Sequence, residues 1–135
     1  PLVAFLVSVT LALFGYLFLH NGQWEDQQIV SEEWVAAATQ AHVTFPEGHG
    51  YGYQWWIYPE HGYYAAQGLA GQYIFVVPDR AMVVVFTANL FGEGADWPHV
   101  LLREFILPAA ESDEPLPPNP DGAEALEEQI EAIAG

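Results

Sequence analysis

The sequence predicts an α/β fold of the α+β kind, an antiparallel β-sheet flanked by helices. Two strongly apolar runs, "GQYIFVVP" (71–78) and "AMVVVFTAN" (81–89), share the short link Pro78-Asp79-Arg80, and so brief a connection joins antiparallel strands into a hairpin. Neither run alternates cleanly between polar and apolar residues, the mark of strands buried on both faces and hence of a sheet with helices on each side. Helical stretches stand on both sides of the pair, "SEEWVAAATQ" (31–40) before it and "HVLLREFIL" (99–107) after it.

Composition narrows the function classes. The 135 residues suit one ordinary domain or a piece of a larger one, and 52% apolar content supplies a packed core. Two arginines, no lysine and 18 acidic residues give a net charge of -16, which repels phosphate backbones and argues against nucleic acid as a partner. Eight of the acids (Glu111, Asp113, Glu114, Asp121, Glu124, Glu127, Glu128, Glu131) lie in the last 25 residues; they read as a solvated tail. Without cysteine there are no disulfides or thiolate sites. The five histidines show no metal-ligand spacing, so no metal and no cofactor is expected, and most of them read as loop or surface residues.

Along the chain, residues 1–20 form an apolar helix. The first 19 carry no charge, and at 1.5 Å per residue they just reach across a bilayer's hydrocarbon core, so a membrane span and a buried helix both stand as readings. Asn21-Gly22 is a helix stop. Ser31 reads as an N-cap with Glu32 and Glu33 in the first turn, and Trp34, Val35 and Ala38 as the buried face of the helix it starts. "YGYQWWIYP" (51–59) reads as a strand, with Trp55 and Trp56 on opposite faces. Asp96 is placed to cap a helix beginning near Pro98, and Pro108 to stop it. Residues 111–135 form an acidic, proline-rich linker and a short helix with Leu126, Ile130 and Ile133 at helical spacing. The body of the domain therefore runs over 21–110.

Few residues can carry catalysis. The three serines, Ser8, Ser31 and Ser112, lie outside any G-x-S-x-G, and a chain without lysine holds no S-x-x-K. The acids mostly occupy caps and turns. Trp55, Trp56, Tyr63 and Tyr64 would support a sugar-binding module only if Trp55 or Trp56 were exposed, and core packing explains the tryptophans as well.

"LFLHNGQWEDQQIVSEEWV", "YGYQWW" and "AAQGLAGQYIFVVPD", in this order and spacing, resemble the carboxy-terminal part of the serine β-lactamase-like hydrolases, the group of class C β-lactamases, penicillin-binding carboxypeptidases and related esterases and amidases. The resemblance covers about 11 to 110 and implies a partial β-lactamase/transpeptidase-like fold, a five-stranded antiparallel sheet with helices on both faces. It also implies acyl transfer on a small-molecule ester or amide, or a peptidoglycan-like substrate, in the parent protein. The family's K-T-G or H-x-G triplet falls on Ala66, Gln67 and Gly68, and the backbone N–H of Leu69 then contributes to the oxyanion hole, a donor often worth about 3–4 kcal/mol. By that resemblance Gln67 lines the pocket. Ala66 replaces the triplet's basic residue, and no tyrosine here begins a Y-x-N or Y-x-S. With nucleophile and lysine expected upstream of residue 1, the chain alone is expected to be inactive. The rival expectation is a membrane-anchored, non-catalytic binding or structural module, and the leader favours an extracytoplasmic or membrane-associated location over a cytoplasmic one.

Overall fold

A computed structural model describes residues 2–94, 96–110, 112, 114 and 117–134. Helix α1 (Leu2–Leu19) opens the chain and ends where the sequence turns left-handed, at Asn21 and Gly22 (φ 52° and 81°), with Gly22 N–H donating to Leu17 O (2.7 Å). A small hairpin of β1 (Gln23–Trp24) and β2 (Gln27–Gln28) follows. Ser31 caps α2 (Glu32–Ala38) as expected, its Oγ accepting from Trp34 N–H at 3.2 Å. Val35 and Ala38 are buried, but Trp34 lies 53% exposed and stacks on Tyr53. The smaller Val35 and Ala38 fill the core under α2, and Trp34 packs on the Tyr53 ring at the surface.

The main sheet has six strands in sequence order, all antiparallel to their neighbours: β3 (Val43–Thr44), β4 (Gly50–Tyr51), β5 (Trp56–Tyr58), β6 (Tyr63–Gly68), β7 (Gln72–Val77) and β8 (Met82–Thr87). The count exceeds the five strands that the resemblance implied, because "YGYQWWIYP" is not one strand. It folds back between β4 and β5 at Gln54 (φ 68°), with Gly52 N–H donating to Trp55 O (2.8 Å). The expected hairpin of β7 and β8 is present, closed by the Pro78–Arg80 turn.

The sheet is covered on both faces. On one, α1 lies across β7 and β8, and Phe18, Trp55, Ile74 and Val76 form a core with Val35 and Ala38. Trp55, 2% exposed, sits under Phe14 and Phe18 of α1 (ring centroids 6.1 and 4.7 Å). Trp56 points the other way, among Phe45, His49 and Tyr51. With Trp55 sealed, only the half-buried Trp56 is left for the sugar-binding reading. On the second face, Tyr63, Ala65, Tyr73, Phe75 and Val77 pack on Leu102.

That second cover is a helix in three parts, α3 (Trp97–Leu101), a π-helical turn (Leu102–Ile106) and α4 (Leu107–Ala109). Pro108 lies inside it and does not stop it. A proline has no N–H to offer and crowds the carbonyl four residues back, and the widened turn just upstream accommodates it, with Leu107 N–H reaching back five residues to Leu102 O. Asp96 occupies the N-cap position but makes no side-chain capping bond; its carbonyl accepts from His99 and Val100 N–H (3.0 and 3.2 Å).

The membrane-span expectation is corrected. Among the described residues no helix is long and apolar enough to cross a membrane. One side of α1 packs on the core, with Phe18 buried, while Leu6, Val7 and Leu13 stay exposed. Beyond Ala110, residues 111, 113, 115 and 116 of the linker lie outside the described residues, including Glu111 and Asp113. Helix α5 (Pro120–Ala134) carries Leu126, Ile130 and Ile133 exposed.

Candidate active site

Period-two alternation sorts β6 between the two faces of the sheet. Tyr64 and Ala66 join the core under α1, while Tyr63 and Ala65 join the core under α3, the face from which Gln67 also reaches its partners. The end of β6 is held on one edge only. Strand β7 pairs with it throughout, Ala66 with Ile74, Gln67 with Tyr73 and Gly68 with Gln72. Strand β5 pairs only with Tyr63, Tyr64 and Ala65.

Past that point the chain opens a cavity of about 280 Å³, bounded by Leu11 of α1, Gln54 of the β4–β5 turn, Ala66, Gln67 and Gly68 of β6, and Gln72 of β7. The triplet positions thus share one wall. Ala66 brings no charge to it. A Cβ at Gly68 would come within 3.1 Å of Gln72 Cβ, so glycine keeps this wall open beside its neighbouring strand. Leu69 follows on the turn, 82% exposed, and Ala70 and Gly71 complete the turn with φ 61° and 86°. A larger opening of about 580 Å³ lies at the opposite end of the sheet, beside Asp79, Arg80 and Leu107, away from the triplet.

Gln67 does more than line the cavity. Its Nε2 donates to Tyr58 Oη (2.6 Å) and lies 3.2 Å from His99 Nε2, while His99 Nδ1 lies 3.0 Å from Tyr63 Oη. One proton arrangement satisfies the row: Gln67 donates to both Tyr58 Oη and His99 Nε2, and His99 Nδ1–H donates to Tyr63 Oη. It requires a neutral imidazole. Burial drives the His99 pKa down to about 4, the nearby Arg103 charge acting in the same sense and Asp96 against it. Burial likewise pushes Tyr63 up to about 12 and Tyr58 upward.

His99 is the residue that sequence reasoning missed. Placed in a helix but given no role there, it is 8% exposed and ringed by Tyr58, Tyr73 and Phe75. The available signal was its place directly after Pro98, at the start of an apolar helix bound to face the sheet.

The serines hold structural posts. Ser8 hydrogen-bonds Thr87 (3.1 Å), Ser31 caps α2, and Ser112 Oγ accepts from Glu114 N–H (3.0 Å). Among the described residues no group of three or more histidines and carboxylates could hold a metal ion. The arrangement supplies a walled cavity and a strand end at its rim.

The Beta-lactamase family model matches residues 4–106, well over half of the chain. Among solved structures, the chain is similar to a Bacillus anthracis protein that carries the name 6-aminohexanoate-dimer hydrolase, with 26% identity and a TM-score of 0.60 over 76% of this chain. The chain spans 28% of that protein's length. No curated protein matches the chain. A mixed fold of antiparallel sheet and flanking helices, matched by family model and by structure alike, places this chain in the Beta-lactamase family.

Proposed function

We propose that the chain serves as the carboxy-terminal part of a β-lactamase-related serine hydrolase that transfers the acyl group of a small-molecule ester or amide. The observation that carries this reading is the shared wall of Ala66, Gln67 and Gly68 on a cavity of about 280 Å³, within the stretch matched by the family. In it Leu69 N–H stabilises the charge developing on the substrate carbonyl oxygen. The nucleophilic serine and its lysine come from S-x-x-K, which this sequence does not contain. Attack by that serine on the carbonyl breaks the ester or amide bond, expels the alcohol or amine and forms an acyl-enzyme, and water then releases the acid and the free serine. The named relative, a hydrolase of a dimer, agrees with a small-molecule substrate. Ala66 in place of a basic residue argues for substrates that do not depend on a cation at this position.

The test has two parts. The purified 135-residue chain is assayed on a chromogenic ester and a chromogenic β-lactam beside its Leu69→Pro variant. Equal background rates are expected, and turnover above that control, or an acyl adduct in the mass spectrum, overturns the predicted inactivity. The encoding DNA ahead of Pro1 is then translated in all three frames. S-x-x-K and Y-x-N are expected there, and their absence overturns the hydrolase reading.

A further inference from the structure

Strand β6 ends at Gly68, just ahead of the Leu69 N–H. A strand tip paired along one edge opens more easily than the body of a sheet, because fewer hydrogen bonds must break together. Here β5 stops pairing at Ala65, leaving Ala66, Gln67 and Gly68 with β7 alone.

The Gln67 side chain supplies what the short β5 leaves out. It bonds Tyr58 Oη at the end of β5 and meets His99 Nε2 of α3, while His99 bonds Tyr63 Oη at the start of β6. Ala65 stands between Tyr63 and Gln67 on the same face and is fully buried; its small side chain leaves the amide room to lie back along the strand toward Tyr58. Each of the three side-chain bonds joins groups from separate parts of the fold. No buried side-chain N or O among the described residues lacks a partner, so loss of one member strands the next in a site where an unpaired polar group is costly.

We propose that Gln67 is a positioning residue, tethered by Tyr58 and His99, that fixes the Gly68–Leu69 peptide at the cavity wall. The functional side of this rests on the reading of Leu69 N–H as an oxyanion donor; the tether itself does not. Gln67 thus acts through the backbone that follows it and not by touching substrate.

Amide hydrogen exchange on the 135-residue chain, followed by NMR at neutral pH, tests the tether without turnover. Gln67→Met keeps the length of the side chain and removes its hydrogen bonds, and Tyr58→Phe removes a single oxygen. Both variants are expected to speed exchange of the protected amides within 66–70 about tenfold or more, with Phe75 and Val84 unchanged. The ¹⁵N signature of His99 reads the same contact: native protein holds the Nδ1–H tautomer, and Gln67→Met loses that preference. Exchange at 66–70 that stays within a factor of two of native, or that rises equally across β7 and β8, overturns the proposal. Failure of the oxyanion reading is distinguishable, because it shows as an assembled enzyme indifferent to Leu69→Pro while the exchange effect of Gln67→Met persists.

Discussion

Gly15 of α1 faces Val83 of β8 so closely that a Cβ on the glycine would lie 2.6 Å from Val83 Cγ1 and 2.7 Å from Ile74 Cγ2. Both methyls belong to β-branched side chains with little freedom to rotate away. Glycine in mid-helix costs about 1 kcal/mol of propensity relative to alanine, yet overpacking costs about 1–3 kcal/mol. Gly15→Ala is therefore expected to destabilise the chain by about 1 kcal/mol net, and Gly15→Leu by more, as read from urea unfolding midpoints. A stabilised Gly15→Ala would mean that α1 does not seat on β8 at this depth.

The imidazole of His99 makes stability depend on pH. Its folded pKa, about 4, lies below the ordinary 6.5, so between those values the unfolded chain binds the proton and the folded one does not. Stability from this residue is complete above pH 6.5, falls as pH drops, and is lost by about pH 4. The full loss is on the order of 3 kcal/mol. Urea unfolding at steps from pH 7 to pH 4 should show this slope, and His99→Phe should flatten it.

Ala81, just after the Pro78–Arg80 turn, holds a left-handed backbone, φ 46° and ψ 39°. Such a conformation strains any residue with a Cβ, although glycine also loses more freedom on folding. Ala81→Gly is expected to stabilise the hairpin by on the order of 0.5 kcal/mol, measurable as a higher urea midpoint with unchanged slope.

Ser31 is the one side-chain N-cap of α2. Ser31→Ala should cost about 1 kcal/mol, and Ser31→Asp should restore most of it. Equal stability of all three proteins would show that α2 is held by Val35 and Ala38 alone.

What the sequence made legible was whatever local chemistry decides. Ser31 declared its cap, Asn21-Gly22 its helix stop, and the runs on either side of Pro78-Asp79-Arg80 their hairpin, since each signal sits within a few residues of its effect. The misreadings arose where distant contacts rule. Gln54 breaks an aromatic run into two strands through a backbone conformation that glutamine rarely adopts. Trp34 yields the core to smaller neighbours, and His99 is buried by strands more than twenty residues away in sequence. The shared wall of Ala66, Gln67 and Gly68 came from family resemblance, and its partners Tyr58 and His99 came only from the fold.

Strand β8 lies at the end of the sheet order, and among the described residues no strand pairs with its outer edge. Its sequence, Met-Val-Val-Val-Phe-Thr, has no charge and no proline, which makes that edge a template for a second chain to add to. The net charge of -16 opposes such stacking by mutual repulsion, much of it from the acidic carboxy-terminal segment. Added salt screens that repulsion over about 10 Å at 0.1 M and less at higher concentration. Aggregation should therefore set in as salt rises, and Thr87→Lys, a charge at the exposed end of the open strand, should delay it in light scattering.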